Sequence, residues 1–159
     1  MIQGTETDAW EKAFVEENKA AAKTARLQLH VAKVARPEDL EAAFSAIKKE
    51  RADAVVVSGN LPVPVRQVAQ MALKYRLPSL SHLNDFADSG GLMSYGANLT
   101  EIQRRAAGQV ARILKGAKVA DLPVERPTVF ELVLNRMAAK ALGLTVPQGL
   151  LLRANRVIE

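Results

Sequence analysis

The chain has 159 residues, of which 48% are hydrophobic and 25% charged, with a formal net charge of +5. This composition excludes a disordered or fibrous chain, and the length fits one domain that buries its own core. The absence of cysteine excludes disulfides and thiolate metal sites, and no apolar run approaches the ~18 residues of a membrane-spanning helix.

The positive charge does not predict a nucleic-acid-binding protein. The basic residues are scattered over predicted helices, the sequence has only seven aromatic residues, and no known nucleic-acid-reading motif is present. A metal site is not predicted either, because His30 and His82 lie far apart and have no metal-ligand spacing.

The first half of the chain alternates predicted helices and strands. A helix is predicted over residues 8–25, and the alternation of apolar and polar residues over 27–31 predicts a strand. Pro37, followed by two acidic residues, predicts the start of a second helix. The uninterrupted apolar run 54–57 predicts a central parallel strand covered on both faces.

The same alternation continues further along the chain. A third helix begins near Val65, short strands are predicted at 79–81 and 92–95, and a long amphipathic helix over 99–115. This order predicts an α/β fold, a three-layer sandwich with a mainly parallel sheet.

The last third of the sequence begins with an extended connector at residues 121–127, which two prolines exclude from helix. A strand is predicted over 128–134, followed by a short helix over 137–142 that Gly143 ends. A final helix is predicted from Pro147 through Ile158.

The segment 90–98 is the switch from a strand to a long helix. Gly96 frees the backbone there, and Tyr95 and Asn98 flank it. In α/β sheets such switches lie at the carboxyl edge, where ligands bind. Asn98 with Glu101 also has the spacing of a helix-capping box, so Asn98 is predicted as a cap that can still face a cleft. Tyr95 is equally compatible with core packing.

Three further residues follow predicted strands and are candidate ligand contacts. Ser58 and Asn60 come after strand 54–57, where a turn and a helix cap would explain them equally well. Ser81 ends strand 79–81, where a hydroxyl satisfied within its own loop is the favoured interpretation.

Catalysis is not predicted. His82, Asp85 and Asp88 are close in sequence, but no serine stands in a nucleophile elbow and no glycine-rich phosphate loop follows a strand. The sequence therefore predicts no catalytic residue and no cofactor.

Four stretches resemble a known family: residues 36–44 (RPEDLEAAF), 90–96 (GGLMSYG), 113–125 (ILKGAKVADLPVE), and 130–135 (FELVLN) followed by 140–147 (KALGLTVP). They are similar, in the same order and spacing, to the C-terminal half of ABC-transporter substrate-binding proteins of the tryptophan/tyrosine-binding-like family. That family has the periplasmic-binding-protein type I fold, in which a ligand lies between two α/β lobes.

The resemblance implies that residues 1–159 are a single lobe, with hinge and crossing segments in 99–159 and the N-terminal lobe absent. The strand that precedes helix 1 in the family is expected to be missing. The family tends to carry an aspartate, suited to a ligand's ammonium group, where this chain has Asn98. A neutral amide loses the charge-assisted part of that hydrogen bond.

The implied function is the solute-binding component of an ABC transporter, or a one-lobe fragment of one, with an amino acid as ligand and a permease as partner. The resemblance implies a periplasmic or membrane-anchored protein. The chain as written shows no signal sequence and is expected in the cytoplasm. The alternative function is a cytoplasmic ligand-sensing or interaction domain.

The resemblance also predicts a homodimer. The helix 99–115 would follow the crossing toward the other lobe, so its apolar stripe would lack a partner in this chain. The members of that stripe are Ile102, Ala106, Val110, Ile113 and Leu114. This helix, or the segment 121–134, is expected to pack against or swap into a second copy.

Overall fold

The computed structural model describes residues 1–4, 9–58 and 61–159, and for residues 9–11 only the backbone. The strands in this part of the chain are β1 Ile2–Gln3, β2 Ala32–Lys33, β3 Val55–Val57, β4 Ser79–Ser81, β5 Met93–Ala97, β6 Phe130–Asn135 and β7 Arg156–Ile158. The helices are α1 Ala9–Thr24, α2 Asp39–Lys49, α3 Val65–Lys74, α4 Leu99–Leu114, α5 Arg136–Leu142 and α6 Gln148–Leu151, with a 3₁₀ turn at Val119–Asp121.

The strands form one sheet in the order β2-β1-β3-β4-β5-β6-β7. All neighbouring pairs are parallel except β5 and β6, which run antiparallel. The predicted α/β fold with a mainly parallel sheet is therefore confirmed, and β3 lies inside the sheet as its continuous apolar run predicts.

Helices cover both faces of the sheet because the chain reverses direction between its first two crossovers. It moves outward from β1 to β2 through α1 and then back across β1 to β3 through α2. Right-handed crossovers place α1 on one face, and α2 and α3 on the other, where they contact each other. The core lies mainly between the sheet and these two helices, around Phe44, Val68 and Phe86.

The expectation that the strand before helix 1 is missing is wrong. Ile2 and Gln3 form β1, which pairs with β2 on one side and with β3 on the other. Both residues are buried. Two residues are too few to show a periodicity, so only their neighbours in the sheet reveal them as a strand.

The strand predicted at residues 27–31 is also misplaced, because β2 is Ala32–Lys33. The register explains the shift, since Ile2 pairs with Ala32 and Gln3 with Lys33. The preceding segment runs past the amino end of β1 instead, where the amino group of Met1 donates to the His30 carbonyl at 2.6 Å. Leu27, predicted as a strand residue, is 67% exposed.

The final helix predicted from Pro147 through Ile158 is only four residues long. It ends at Leu151, and Arg156–Ile158 form β7, which pairs with β6. Asn155 fixes this junction, because its side-chain oxygen accepts a hydrogen bond from the backbone NH of Leu132 at 2.8 Å. The short helix α5 before it ends at Gly143 in a left-handed conformation, as predicted.

The remainder of the chain, residues 99–129, forms what we call the arm: α4 and the extended connector that returns to β6. Within α4, all of which is described, no side chain is buried. The connector is held to α4 by polar contacts, with Gln109 bonded to Glu125 at 2.8 Å and Arg105 to Thr128 at 2.9 Å. Among the residues that the structure describes, the apolar side of α4 therefore has little to pack on.

Candidate functional site

The carboxyl ends of β3, β4 and β5 meet at one edge of the sheet, and the antiparallel β6 begins there. The predicted contacts Ser58, Ser81, Tyr95, Gly96 and Asn98 all lie at or near this edge. The sixth, Asn60, lies outside the described residues. Parallel α/β sheets bind ligands at this edge, so the predicted residues share one region of the molecule.

The two serines are buried at this edge and face inward. Ser58 directly follows β3, and its backbone NH donates to the carbonyl of Ile2 at 2.9 Å. The Ser81 hydroxyl donates to the Val57 carbonyl at 3.0 Å and accepts from the NH of Leu83 at 3.2 Å. The Ser81 hydroxyl is thus satisfied within the lobe, in agreement with the favoured interpretation of its sequence position.

Gly96 permits a close approach between β5 and the segment that follows β4. A Cβ at position 96 would lie 2.0 Å from the His82 carbonyl oxygen. The Asn84 amide donates to the Ala97 carbonyl at 3.0 Å, and the Ser94 hydroxyl donates to the Asn84 carbonyl at 3.3 Å. Sequence reasoning missed Asn84, whose role depends on this contact between two separate segments.

An aromatic pair stands open to solvent at the same edge. The rings of Tyr95 and Phe130 stack with centroids 5.9 Å apart and planes 25° apart. Tyr95 is 55% exposed and Phe130 is 47% exposed, so Tyr95 is not a core residue. Phe130 was not predicted, because the pairing becomes visible only from the antiparallel register of β5 and β6. The pair is an exposed aromatic surface at the carboxyl edge.

Asn98 is the N-cap of α4, and it also holds a carboxylate. Its side-chain oxygen accepts from the Glu101 NH at 2.7 Å, and its amide nitrogen donates to Glu131 at 2.5 Å. Glu131 is half-buried and pairs with Gly96 across the strands. The negative charge that position 98 lacks is therefore present in the adjacent side chain.

Charged groups around this edge form local pairs. Arg104 and Arg105 bond to the Glu101 carboxylate and hold its pKa below the usual value. Burial lowers the pKa of the His82 imidazole, whose ring lies 5.6 Å from that of Phe14. The folded lobe therefore favours the uncharged form of the His82 side chain.

The described residues contain no group of three or more side chains suited to a metal ion. None of the helices described is both long enough and apolar enough to cross a membrane. A groove of about 450 Å³ lies at the opposite, amino edge, between Ala25, Ile47 and Ala54, and it contains none of the predicted contacts.

A mainly parallel sheet covered on both faces, with an open carboxyl edge and a protruding arm, defines one lobe of a type I binding-protein fold. The chain belongs to the ABC transporter substrate binding protein family, whose model matches residues 5–158. No curated protein matches the chain.

Three solved structures share this fold. A conserved domain protein from Vibrio cholerae has 25% identity and a TM-score of 0.87 over 98% of this chain, and an ABC domain in complex with L-Trp from Streptococcus pneumoniae has 25% identity and a TM-score of 0.82 over 99%. A ligand-free, open substrate-binding protein with adhesive properties from Clostridium difficile has 18% identity and a TM-score of 0.74 over 99%. This chain spans 53%, 56% and 53% of the three proteins.

Proposed function

We propose that this chain is the solute-binding component of an ABC transporter, or one lobe of it, and that it binds an amino acid at the carboxyl edge of its sheet. The observation that carries this proposal is the family match over residues 5–158, joined to an open edge with a stacked aromatic pair and polar side chains. The L-Trp bound by the Streptococcus protein supports an aromatic amino acid as the first ligand to test.

In this proposal Tyr95 and Phe130 contact the apolar part of the ligand, since stacked rings offer a flat surface to another ring. The Glu131 carboxylate receives the ligand's ammonium group, because Asn98 orients it and occupies only one of its oxygens. Gly96 shapes the edge, and Ser58 and Asn60 remain predicted contacts. Ser81 contributes by fixing the end of β4.

The edge supplies only half of a pocket, so a ligand needs a second surface to enclose it. The proposed partners are a small-molecule ligand, a transporter permease and a second copy of this chain. The proposed location is the periplasm, or a membrane to which the protein is anchored, as the family resemblance implies. Ligand binding without catalysis is expected, since the family is defined by substrate binding.

Thermal-shift measurements with L-tryptophan at millimolar concentration test this proposal. Ligand that binds the native state stabilises it by RT ln(1 + [L]/Kd), so a weak ligand is detectable at high concentration. We expect a small rise in Tm and a Kd weaker than micromolar, because only one surface of the pocket is present. Micromolar affinity of the isolated chain would contradict the half-pocket interpretation.

Two variants separate ring stacking from hydrogen bonding. Tyr95→Ala is expected to abolish the shift, and Tyr95→Phe to keep most of it. A matched control is Leu27→Ala, which changes an exposed apolar side chain at the amino edge. No shift with tryptophan or with any other standard amino acid at millimolar concentration would contradict the proposed amino-acid ligand.

A further inference from the structure

Helices α1 to α5 all end in the same backbone motif, the Schellman motif. In each case one residue after the helix has a positive φ and donates its NH to the carbonyl three positions back, and the next NH bonds to the carbonyl five positions back. Glycine is the usual residue with this φ, since it has no Cβ. Helices α4 and α5 have it, as Gly116 and Gly143. Helices α1, α2 and α3 instead have Arg26, Arg51 and Arg76 there, at φ of 56°, 56° and 54°.

The three left-handed arginines lie at one edge of the molecule. Helices α1, α2 and α3 each run back from the carboxyl edge to the amino edge, whereas α4 lies in the arm and α5 begins at the amino edge. Arginine in this conformation costs free energy that glycine does not. A cation complements the negative end of a helix dipole, but Lys23, Lys48 and Lys74 already lie in the last turns. Helix termination alone therefore does not account for arginine at all three positions.

Basic residues occur along the whole chain, but its net positive charge is concentrated at this edge. We call residues 21–31, 46–54 and 71–78, each of which runs from the last turn of one of these helices to the next strand, the amino-edge segments. Of the 22 basic and 17 acidic residues of the chain they contain seven and two, a charge of +5, so the other 15 basic and 15 acidic residues cancel. All seven basic side chains are exposed. Lys74 bonds to Glu41 at 2.9 Å, and an exposed pair of this kind is weak.

The three amino-edge segments lie side by side. The first runs past the amino end of β1, and its Ala25 and Leu27 line the same groove as Arg51 of the second. The second adjoins the third, because the NH of Val55 bonds to the carbonyl of Pro78 at 2.8 Å. With ~4.8 Å between strands, β2, β1, β3 and β4 span about 15 Å, so neighbouring charges lie within or near the Debye length of ~8–10 Å. Their potentials therefore add into one positive surface.

We propose that the amino-edge segments bind the protein to the anionic phospholipids of a membrane surface. A broad positive surface matches a plane of phosphate headgroups, and each lysine or arginine near such a plane adds to the attraction. Leu27 is 67% exposed next to Arg26 and can enter the boundary between headgroups and acyl chains. Basic side chains beside an exposed leucine thus favour a lipid surface as the occupant.

This inference goes beyond the proposed function, because the surface lies at the opposite end of the strands from the candidate ligand contacts. The arm also leaves from the carboxyl edge, so a second half of the pocket would lie away from the amino-edge segments. Solute and membrane can therefore bind at the same time. Vesicle binding tests the membrane surface and a thermal shift tests the solute, so failure of one is distinguishable from failure of the other.

Vesicle flotation of the 159-residue chain tests the proposal. One set of vesicles contains phosphatidylcholine with about 30% phosphatidylglycerol, and the other contains phosphatidylcholine alone. We expect the chain to float with the anionic vesicles at low ionic strength and to remain in solution with the neutral ones. About 0.5 M NaCl should release it, because salt screens the attraction.

A triple variant with Arg26→Gln, Arg51→Gln and Arg76→Gln removes the left-handed arginines. It should lower the partition coefficient for anionic vesicles at least tenfold, since each basic residue near such a surface contributes about fivefold. The corresponding triple glycine variant should lose as much binding while its Tm stays the same or rises, because glycine adopts a positive φ freely. Arginines that only terminate helices would affect Tm and leave vesicle binding unchanged.

The matched control removes the same charge elsewhere. It replaces Arg66, Arg126 and Arg153, which are exposed and lie outside the amino-edge segments, by glutamine. The net charge of this variant equals that of the first triple variant, and we expect its partition coefficient to fall less than threefold.

Three results would overturn the proposal. If the native chain fails to float with anionic vesicles at low ionic strength, the positive surface serves another occupant, such as an acidic protein. Equal binding to neutral vesicles would mean that the attraction is not electrostatic. An equal loss in the control variant would assign the binding to net charge and not to the amino edge.

Discussion

Helices α2 and α4 are both amphipathic, but α2 buries its apolar side chains and α4 does not. Helix α2 buries Leu40, Ala43, Phe44 and Ile47 against the sheet. Helix α4 is longer and buries none of its side chains. An apolar stripe therefore shows that a helix face requires a partner, but it does not show that the partner lies in the same chain. The lobe is stabilised by its own packing, whereas the arm depends on what covers it.

The largest expected difference between lobe and arm is in the free energy of unfolding when one apolar side chain in each is shortened to alanine. Phe44→Ala leaves a cavity in the fully buried core and should lower the free energy of unfolding by about 3–5 kcal/mol. Val110→Ala shortens an exposed side chain of α4 and should change it by less than about 0.5 kcal/mol. Urea denaturation monitored by circular dichroism measures the free energy of unfolding of both variants. Equal losses would contradict the distinction between lobe and arm.

Replacing a glycine by alanine is expected to destabilise the protein when the glycine lies in the lobe and to stabilise it when the glycine lies in the arm. Gly96→Ala forces a Cβ onto the His82 carbonyl and should cost about 1–3 kcal/mol through displacement of β5. Gly108→Ala adds a methyl group in open space within α4 and should stabilise by up to about 1 kcal/mol. Thermal unfolding of the two variants measures whether each change in stability is positive or negative. An unchanged stability for Gly96→Ala would show that the segment after β4 moves at little cost to accommodate the added Cβ.

The two asparagine caps offer a smaller comparison. Asn98 caps α4, and Asn98→Ala should cost about 0.5–2 kcal/mol. Asn135 caps α5 and also donates to the buried Ala87 carbonyl at 2.9 Å. Asn135→Ala should cost about 1–3 kcal/mol more, because that carbonyl loses its partner. Chemical denaturation of both variants measures the difference, and equal costs would mean that water replaces the lost bond.

The smallest expected effect is a dependence of stability on pH that His82 contributes to the lobe. Burial lowers the pKa of His82 below 6.5, so the unfolded chain takes up a proton more readily than the folded one. Stability contributed by neutral His82 is complete above that value and declines as pH falls below it. A comparison of His82→Gln with the native chain at pH 5 and pH 7.5 checks this. An identical pH slope would contradict the prediction.

Sequence periodicity predicted most of the lobe because its elements bury one face within the chain. The buried run of β3 and the proline-started α2 were found nearly at their observed bounds, as was β4. The missed elements are the ones that depend on register. Strand β1 has two residues and β7 has three, and each is defined by its neighbours in the sheet and not by its own pattern.

The candidate site was predicted in part, for a related reason. The position of a residue after a strand identified the carboxyl edge, and the capping spacing identified Asn98 as the start of α4. The pairing of Tyr95 with Phe130 and of Asn98 with Glu131 joins segments more than 30 residues apart. No local pattern reveals such contacts, because they arise from the antiparallel turn of β6 against β5.

That antiparallel pairing makes the arm an insertion into a β-hairpin. Ala97 pairs with Phe130, and the Asn98 NH bonds to the Val129 carbonyl at 2.9 Å, so the arm leaves and re-enters the lobe at adjacent points. A tight Asn-Gly turn could close the same gap with two residues. A chain shortened in this way would be a minimal lobe for engineering. The arm could also be exchanged for another binding segment without any change to the order of the strands.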